Sequence, residues 1–237
     1  MDSTRPEMWV VQLGEVEYLE ALALQERVRE GRQAGVVPDV MLLLEHPRVY
    51  TRGRRSAPGE LSMGEDWYRA QGIEIVEVNR GGKITYHGPG QLVGYPIVAV
   101  DDVVEYVRTL ERGLVDALGR QGIQARARPE DGPDFTGVWV EGRKIASIGV
   151  HVARGVTTHG FAVNVENDLA PFGWVVACGL PDVTMTSIAA EGGQSDEGLM
   201  RCFRRRAAFS VAEALGRRQR LVSRERLEQA LGAPAVV

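Results

Sequence analysis

The side chain in this 237-residue chain best suited to form and resolve a covalent bond is Cys178, with Lys144 among the groups that could take its proton. Cys178 follows the apolar run Trp174–Val176 and precedes Gly179-Leu180-Pro181, which predicts a place at a strand end or turn. A thiol attacks only as its thiolate, so a neighbour must take its proton or lower its pKa. His87, His151, His159, Lys83 and Lys144 are the available groups; the remaining positive charge is all arginine. Lys144 opens the largely apolar run KIASIGVHV. A lysine held against such a strand is costly unless it meets water or a partner, and a partly desolvated amine exchanges its proton closer to neutrality. Spacing alone also allows a lysine at a hairpin mouth that reaches out to solvent. Cys202, between Arg201 and Phe203 in an amphipathic run, reads as a small apolar residue. His151 and His159 stand across a turn with no carboxylate or cysteine at ligand spacing, so no metal site is expected.

The stretch most suited to hold a ligand beside these groups is RGGKITYHGPGQLVGYP, from Arg80 to Pro96. Its glycines let the backbone approach a bound molecule closely. His87 and Gln91 flank the turn Gly88-Pro89-Gly90, which can fix them relative to each other. Strand-like runs on either side, Ile73–Val78 and Leu92–Val100, predict a rigid loop between strands, the usual setting of a small-molecule site. The glycine spacing is not a dinucleotide fingerprint, and no Gly-Lys-Ser/Thr phosphate loop is present.

The elements that must position these residues follow from periodicity. Apolar residues at helical spacing predict amphipathic helices over 16–30, 103–119 and 199–215, with a short helix over 66–71 and another in the tail, capped by Ser223 with Leu227 and Leu231 inward. Strands are expected at Trp9–Leu13, in the apolar run VMLLLEH, and at Thr136–Val140, Lys144–Val152 and Thr157–Val165, with an edge strand at Gln124–Arg128. Arg52, Arg54 and Arg55 lie in an expected loop over 50–59. Consecutive hairpins with helices inserted predict an α+β fold, mixed β-sheets packed with helices, rather than a doubly wound sheet. The division expected is a catalytic domain over 1–216 and a C-terminal tail over 217–237. A net charge of −4 argues against a general nucleic-acid binder, and two cysteines are too few for a disulfide framework. The N-terminal segment lacks a signal-peptide core and no apolar run is long enough to span a membrane, so a cytoplasmic protein is expected.

The runs RGGKITYHGPGQLVGYP, GRKIASIGV, THGFAVNV and ACGLPDVTMTSI, in this order, resemble the lipoyl(octanoyl) transferases, the octanoyl-acyl-carrier-protein:protein octanoyltransferases. The resemblance covers roughly Trp9 to Leu215. It implies the fold of a lipoate/biotin protein ligase catalytic domain and a Cys/Lys dyad, with Cys178 as nucleophile and Lys144 as the residue that activates it. It places an acyl-binding pocket on Arg80, Gly81, Gly82, Lys83, Ile84, Thr85, Tyr86 and His87, on Ser147, Ile148 and Gly149, and on Gly160, Phe161 and Ala162. Ala177 departs from the family, where proline commonly precedes the cysteine.

The resemblance further implies octanoyl-acyl-carrier protein as donor and lipoyl domains as acceptors, those of 2-oxoacid dehydrogenase E2 subunits or the glycine cleavage H protein, with no cofactor. The basic segments Arg52–Arg55 and Arg204–Arg206 are candidate docking patches for an acidic carrier. Three alternatives stay open on sequence. An ATP-dependent lipoate or biotin ligase on the same fold would not need Cys178, and the loop at Arg52–Arg55 resembles a biotin-ligase nucleotide loop. A cysteine thioesterase would use water as acceptor. A non-catalytic acyl- or lipoyl-domain-binding module would leave Cys178 inert.

Overall fold

The computed structural model describes residues 4–57, 59–175, 183–192 and 198–232. In chain order its elements are β1 (Glu7–Glu15), α1 (Tyr18–Gln33), β2 (Asp39–Glu45), β3 (Val49–Arg52), α2 (Glu65–Ala70), β4 (Glu74–Glu77), β5 (Thr85–His87), β6 (Gln91–Ile97), α3 (Val103–Gly119), β7 (Gly137–Val140), β8 (Arg143–Ala153), β9 (Val156–Asn164), α4 (Leu199–Ala214), β10 (Arg218–Val222) and α5 (Arg224–Gly232). They form a seven-stranded sheet in the order β10-β1-β2-β6-β9-β8-β7 and a three-stranded sheet in the order β4-β3-β5. The α+β class expected from the sequence is the class observed.

The large sheet is covered on both faces, and β2 shows why. Its side chains alternate between two cores. Met41 and Leu43 join Leu110, Leu114, Phe203 and Val211 under α3 and α4. Val40, Leu42 and Leu44 join Leu24, Val28 and Leu227 under α1 and α5. A continuous apolar run is therefore what a central strand here requires. A third cluster, with Tyr50, Tyr68, Ile73, Ile84, Tyr86 and Phe172, lies under the small sheet. Helix α3 starts at Val103 because the Asp102 carboxylate accepts from the backbone N–H groups of Val104 (2.8 Å) and Glu105 (3.0 Å).

Several segments differ from expectation. Val49–Arg52, which overlaps the loop expected over 50–59, is a strand because β4 and β5 pair with its two edges. Thr85–His87 forms a strand inside the glycine-rich stretch. Gln124–Arg128 contributes only a single bridge, Arg126 to Trp139. Ala170–Trp174 winds into a 3-10 turn, with Pro171 at its start. Arg218–Val222 adds a parallel strand to β1, its backbone pairing carrying an element whose side chains are mostly charged and exposed. No helix among the described residues is long and apolar enough to cross a membrane.

The tail is tied to the core through Asp39, which is 3% exposed. Its carboxylate accepts from Nε of Arg32 at 2.6 Å and Nε of Arg217 at 2.7 Å. Removing one partner from a buried ionic group leaves the other charges uncompensated. Asp39→Ala is expected to lower the unfolding free energy in urea by about 3 kcal/mol, the low end for a buried pair because both arginines can turn toward water. A loss below about 1 kcal/mol, the ceiling for surface pairs, would contradict this.

Candidate active site

Strand β7 is short, and its register with β8 ends at Gly137 opposite Ser147. Beyond Ser147 that edge of β8 is available, and the glycine-rich segment occupies it: Gly81 N donates to Val150 O at 2.9 Å. The approach is close because Gly149 has no side chain; a Cβ there would stand 3.0 Å from Gly81 O and 3.2 Å from Arg80 Cδ. Gly149 also pairs with Gly160 on β9, so no side chain stands at either position of that pair. Between these strands, the segment 80–87, the start of α3 and the turns at 129–136 lies a cavity of about 490 Å³, within the range of small-molecule sites.

Lys144 is in the wall of this cavity and only 2% exposed. Its backbone is gripped from one side: its N donates to Thr184 O and its O accepts from Thr186 N, both at 2.9 Å, so Thr184–Thr186 runs alongside the start of β8. Its ammonium stands 5.2 Å from the ring centre of Trp139, a cation–π arrangement. Gly137 lies against its stem, where a Cβ would come within 2.9 Å of Lys144 Cε. Cys178 and Ala177 lie outside the described residues, which stop at Val175 and resume at Val183.

The turn around Gly88-Pro89-Gly90 does fix His87 and Gln91 relative to each other. His87 Nδ1 donates to Gln91 Oε1 (2.7 Å), and Gln91 Nε2 donates to Asn164 Oδ1 (2.9 Å) and Tyr86 O (3.2 Å). Asn164 Nδ2 in turn donates to Thr186 O at 2.9 Å. A buried relay of amides thus joins His87 to the strand segment beside Lys144. Burial, then the nearby His46, holds His87 well below the usual histidine range. It is neutral, and with Nδ1 donating, Nε2 keeps its lone pair as an acceptor.

Arg80 is buried and anchors the segment, its guanidinium donating to Thr51 O (2.7 Å), Thr51 Oγ1 (2.7 Å) and Gly81 O (3.0 Å). His159 takes a left-handed backbone conformation, φ +58°. Its N–H donates to Gln25 Oε1 (2.7 Å), and its ring Nε2 donates to Asn79 Oδ1 (2.8 Å). Burial, with Arg80 nearby, pushes it down to about 3. His46 Nδ1 donates to Val16 O and its Nε2 accepts from Tyr95 Oη, both at 2.7 Å; burial pushes it down to about 4. Burial raises Tyr18 to about 12 and lifts Tyr95 well above the usual tyrosine range, so both phenols stay neutral.

The cavity brings together Lys144 with Arg80, Gly81, Gly82, Lys83, Thr85, His87, Ser147, Ile148, Gly149, Gly160, Phe161 and Ala162. Ile84 and Tyr86 do not line it. Tyr86 within β5 and Ile84 just before it alternate with Thr85 and His87 and join the third core. Tyr18 and Tyr95 line the cavity too, and no local pattern marks them, since α1 and β6 meet only in the folded chain. Of the arginines expected to form docking patches, Arg52 pairs with Glu65 (2.8 Å), Arg55 with Asp134 (3.1 Å) and Arg204 with Glu45 (2.8 Å). Arg206 bonds Gln121. Arg54 and Arg205 are exposed. Cys202 is exposed on α4 rather than packed in the core. Among the described residues no three His, Cys, Asp or Glu side chains gather as a metal site would need.

The family described as the lipoyl protein ligase A/B catalytic domain matches residues 17–199. An octanoyltransferase of Solibacter usitatus is 49% identical over 185 residues, covering 76% of this chain and 82% of that protein. An octanoyltransferase of Geobacter sulfurreducens is 46% identical over 193 residues, covering 79% and 77%. Among solved structures, a lipoate-protein ligase A bound with ATP superposes with a TM-score of 0.75 at 18% identity, covering 94% of this chain and 92% of that one. A bipartite lipoate protein ligase from Thermoplasma acidophilum superposes with a TM-score of 0.73 at 17% identity, covering 94% and 90%. At those identities the structures speak to the fold alone.

Proposed function

This chain belongs to the lipoyl protein ligase A/B catalytic-domain family, among its octanoyltransferases, and on that premise we propose that it moves an octanoyl group from acyl-carrier protein to the lysine of a lipoyl domain through an acyl thioester on Cys178. The observation that carries this reading is the buried Lys144 amine in the wall of a largely aliphatic and glycine-lined cavity, its backbone held by the segment that follows Cys178 in the chain. A lysine so placed stands at the wall of a cavity that could take an acyl chain.

In this mechanism the octanoyl chain lies along Ser147, Gly149, Gly160 and Ala162, and burying its six methylenes contributes about 5 kcal/mol. Lys144, in its unprotonated amine form, takes the thiol proton of Cys178 and becomes the ammonium. The thiolate adds to the donor carbonyl, the carbon–sulfur bond to the carrier breaks, and the carrier thiolate leaves with the proton from Lys144. The acceptor lysine amine then attacks the Cys178 thioester, Lys144 takes its proton, and the amide forms as Cys178 is released. The first exchange is nearly balanced and the second runs downhill, so the thioester itself supplies the driving force without ATP. His87, neutral and fixed by Gln91, orients the substrate as an acceptor rather than serving as the base.

Residues 1–216 form the catalytic domain in this reading and 217–237 its C-terminal tail. Exposed Arg54 and Arg205 are the patch residues best able to steer an acidic carrier. The acceptors are lipoyl domains of 2-oxoacid dehydrogenase E2 subunits or the glycine cleavage H protein, and the setting is the cytoplasm.

The test is intact mass spectrometry after mixing with octanoyl-acyl-carrier protein and no ATP. A gain of one octanoyl group, removed by hydroxylamine and absent in Cys178→Ser, is expected. No adduct, with ATP-dependent transfer from free octanoate, would move the assignment to a ligase. Steady release of octanoate without acceptor would move it to a thioesterase.

A further inference from the structure

The third-turn carboxylate of α3, Glu111, is 1% exposed on a helix face that also buries Tyr106, Leu110, Leu114, Ala117 and Leu118. A carboxylate there is costly unless each oxygen has a partner. Both do. Oε2 accepts from Arg108 NH1 at 2.6 Å, and Oε1 accepts from the backbone N–H of Gly137 at 3.0 Å. Replacing such a pair by well-packed apolar residues is often neutral or stabilising, so stability alone is a weak reason for it.

The bond to Gly137 reaches the site. Gly137 opens β7 opposite Ser147, with φ +135°, and its Cα lies against the Lys144 stem: a Cβ would stand 2.9 Å from Lys144 Cε and 2.4 Å from Ala146 O. Glu111 therefore sets the height of the residue that walls one side of the lysine. Trp139, two residues on in the same strand, supplies the ring over the ammonium.

We propose that Glu111 is a positioning residue for Lys144: by holding the Gly137 N–H from α3 it fixes the wall against which the lysine stem lies, and so where its amine meets the substrate. This rests on the reading of Lys144 as the base, and its test separates the two.

The chain has two lysines, Lys83 and Lys144, so trace acetylation with acetic anhydride followed by peptide mass spectrometry reports Lys144 against an internal reference without any catalysis. Glutamine at 111 keeps an oxygen for Gly137, whereas alanine removes it. Glu111→Ala is expected to change the Lys144 to Lys83 acetylation ratio by about threefold and to slow octanoyl-adduct formation at saturating donor by about tenfold or more, with the half-saturating donor concentration unchanged. Glu111→Gln is expected to restore both. If Glu111→Ala lowers only the melting temperature and leaves the ratio and the saturated rate in place, Glu111 is structural and the proposal is wrong. If the wild type forms no adduct, the transferase reading fails, while the acetylation ratio still decides whether Glu111 holds Lys144.

Discussion

Lys144→Ala is expected to slow octanoyl-thioester formation by about a hundred- to ten-thousand-fold near neutral pH, the usual worth of a general base. The strand should survive the change. The backbone of Lys144 stays bonded to Thr184 and Thr186, and β8 stays paired with β9 from Ala146 to Ala153. Lys144→Arg is the sharper variant. It keeps a cation beside Trp139 but cannot give up its proton, so it should be as slow as alanine if proton transfer is the role and near wild type if charge alone matters. An unassisted thiol ionises near about pH 8.5, so the deficit of both variants should narrow above that pH. Quenched-flow sampling with intact mass spectrometry across pH reads all three. A wild-type rate in Lys144→Arg would remove Lys144 from the role of base.

What could be read before the fold was known depended on whether a residue's task was local. Helix α3 spans Val103–Gly119 as its periodicity requires, because its start is set by Asp102 and its inward face by residues a turn apart. The hairpins joining β7, β8 and β9 were equally legible from Glu141-Gly142 and Arg154-Gly155, whereas the apolar run left Lys144 open between a buried place and the solvent, and the fold buries it. Ile84 and Tyr86 were assigned to the pocket wall as part of a continuous stretch, although strand alternation inside that stretch sends them to the opposite side. Tyr18, Tyr95, His46 and Glu111 carried no signal. Their partners lie on other elements, and a tyrosine in the first turn of a helix or a glutamate in the middle of one is ordinary on its own. Strand β10 was illegible for a different reason. Arg218-Gln219-Arg220 buries nothing, and the segment is a strand only because β1 offers an edge.

The burial that shapes the cavity wall also makes stability fall steeply with acid. His46, His87 and His159, three of the four histidines, are each under a tenth exposed. Unfolded, each takes a proton near 6.5; folded, His46 does so near about 4, His159 near about 3 and His87 well below 6.5. The unfolded chain therefore binds more protons than the native one once the pH drops below 6.5, and acid pulls the equilibrium toward it. Each group costs about 1.4 kcal/mol per pH unit until its folded pKa is reached. His46 and His159 between pH 6.5 and 5 come to about 4 kcal/mol, and His87 adds in the same direction. The carboxylates held low by hydrogen bonds and neighbouring charges, Glu7, Asp116, Glu191 and Glu225, have the same sign but act below their ordinary values of 4.5, 3.8, 4.5 and 4.5, so they do not blur this window. Urea unfolding at pH 7, 6 and 5 should therefore show a loss of several kcal/mol across the series. His46→Gln can still donate to Val16 O and accept from Tyr95, and it should flatten that slope measurably. A stability at pH 5 within about 1 kcal/mol of that at pH 7 would mean that these rings accept protons in the native state, and that the neutral, acceptor-bearing His87 of the mechanism does not hold.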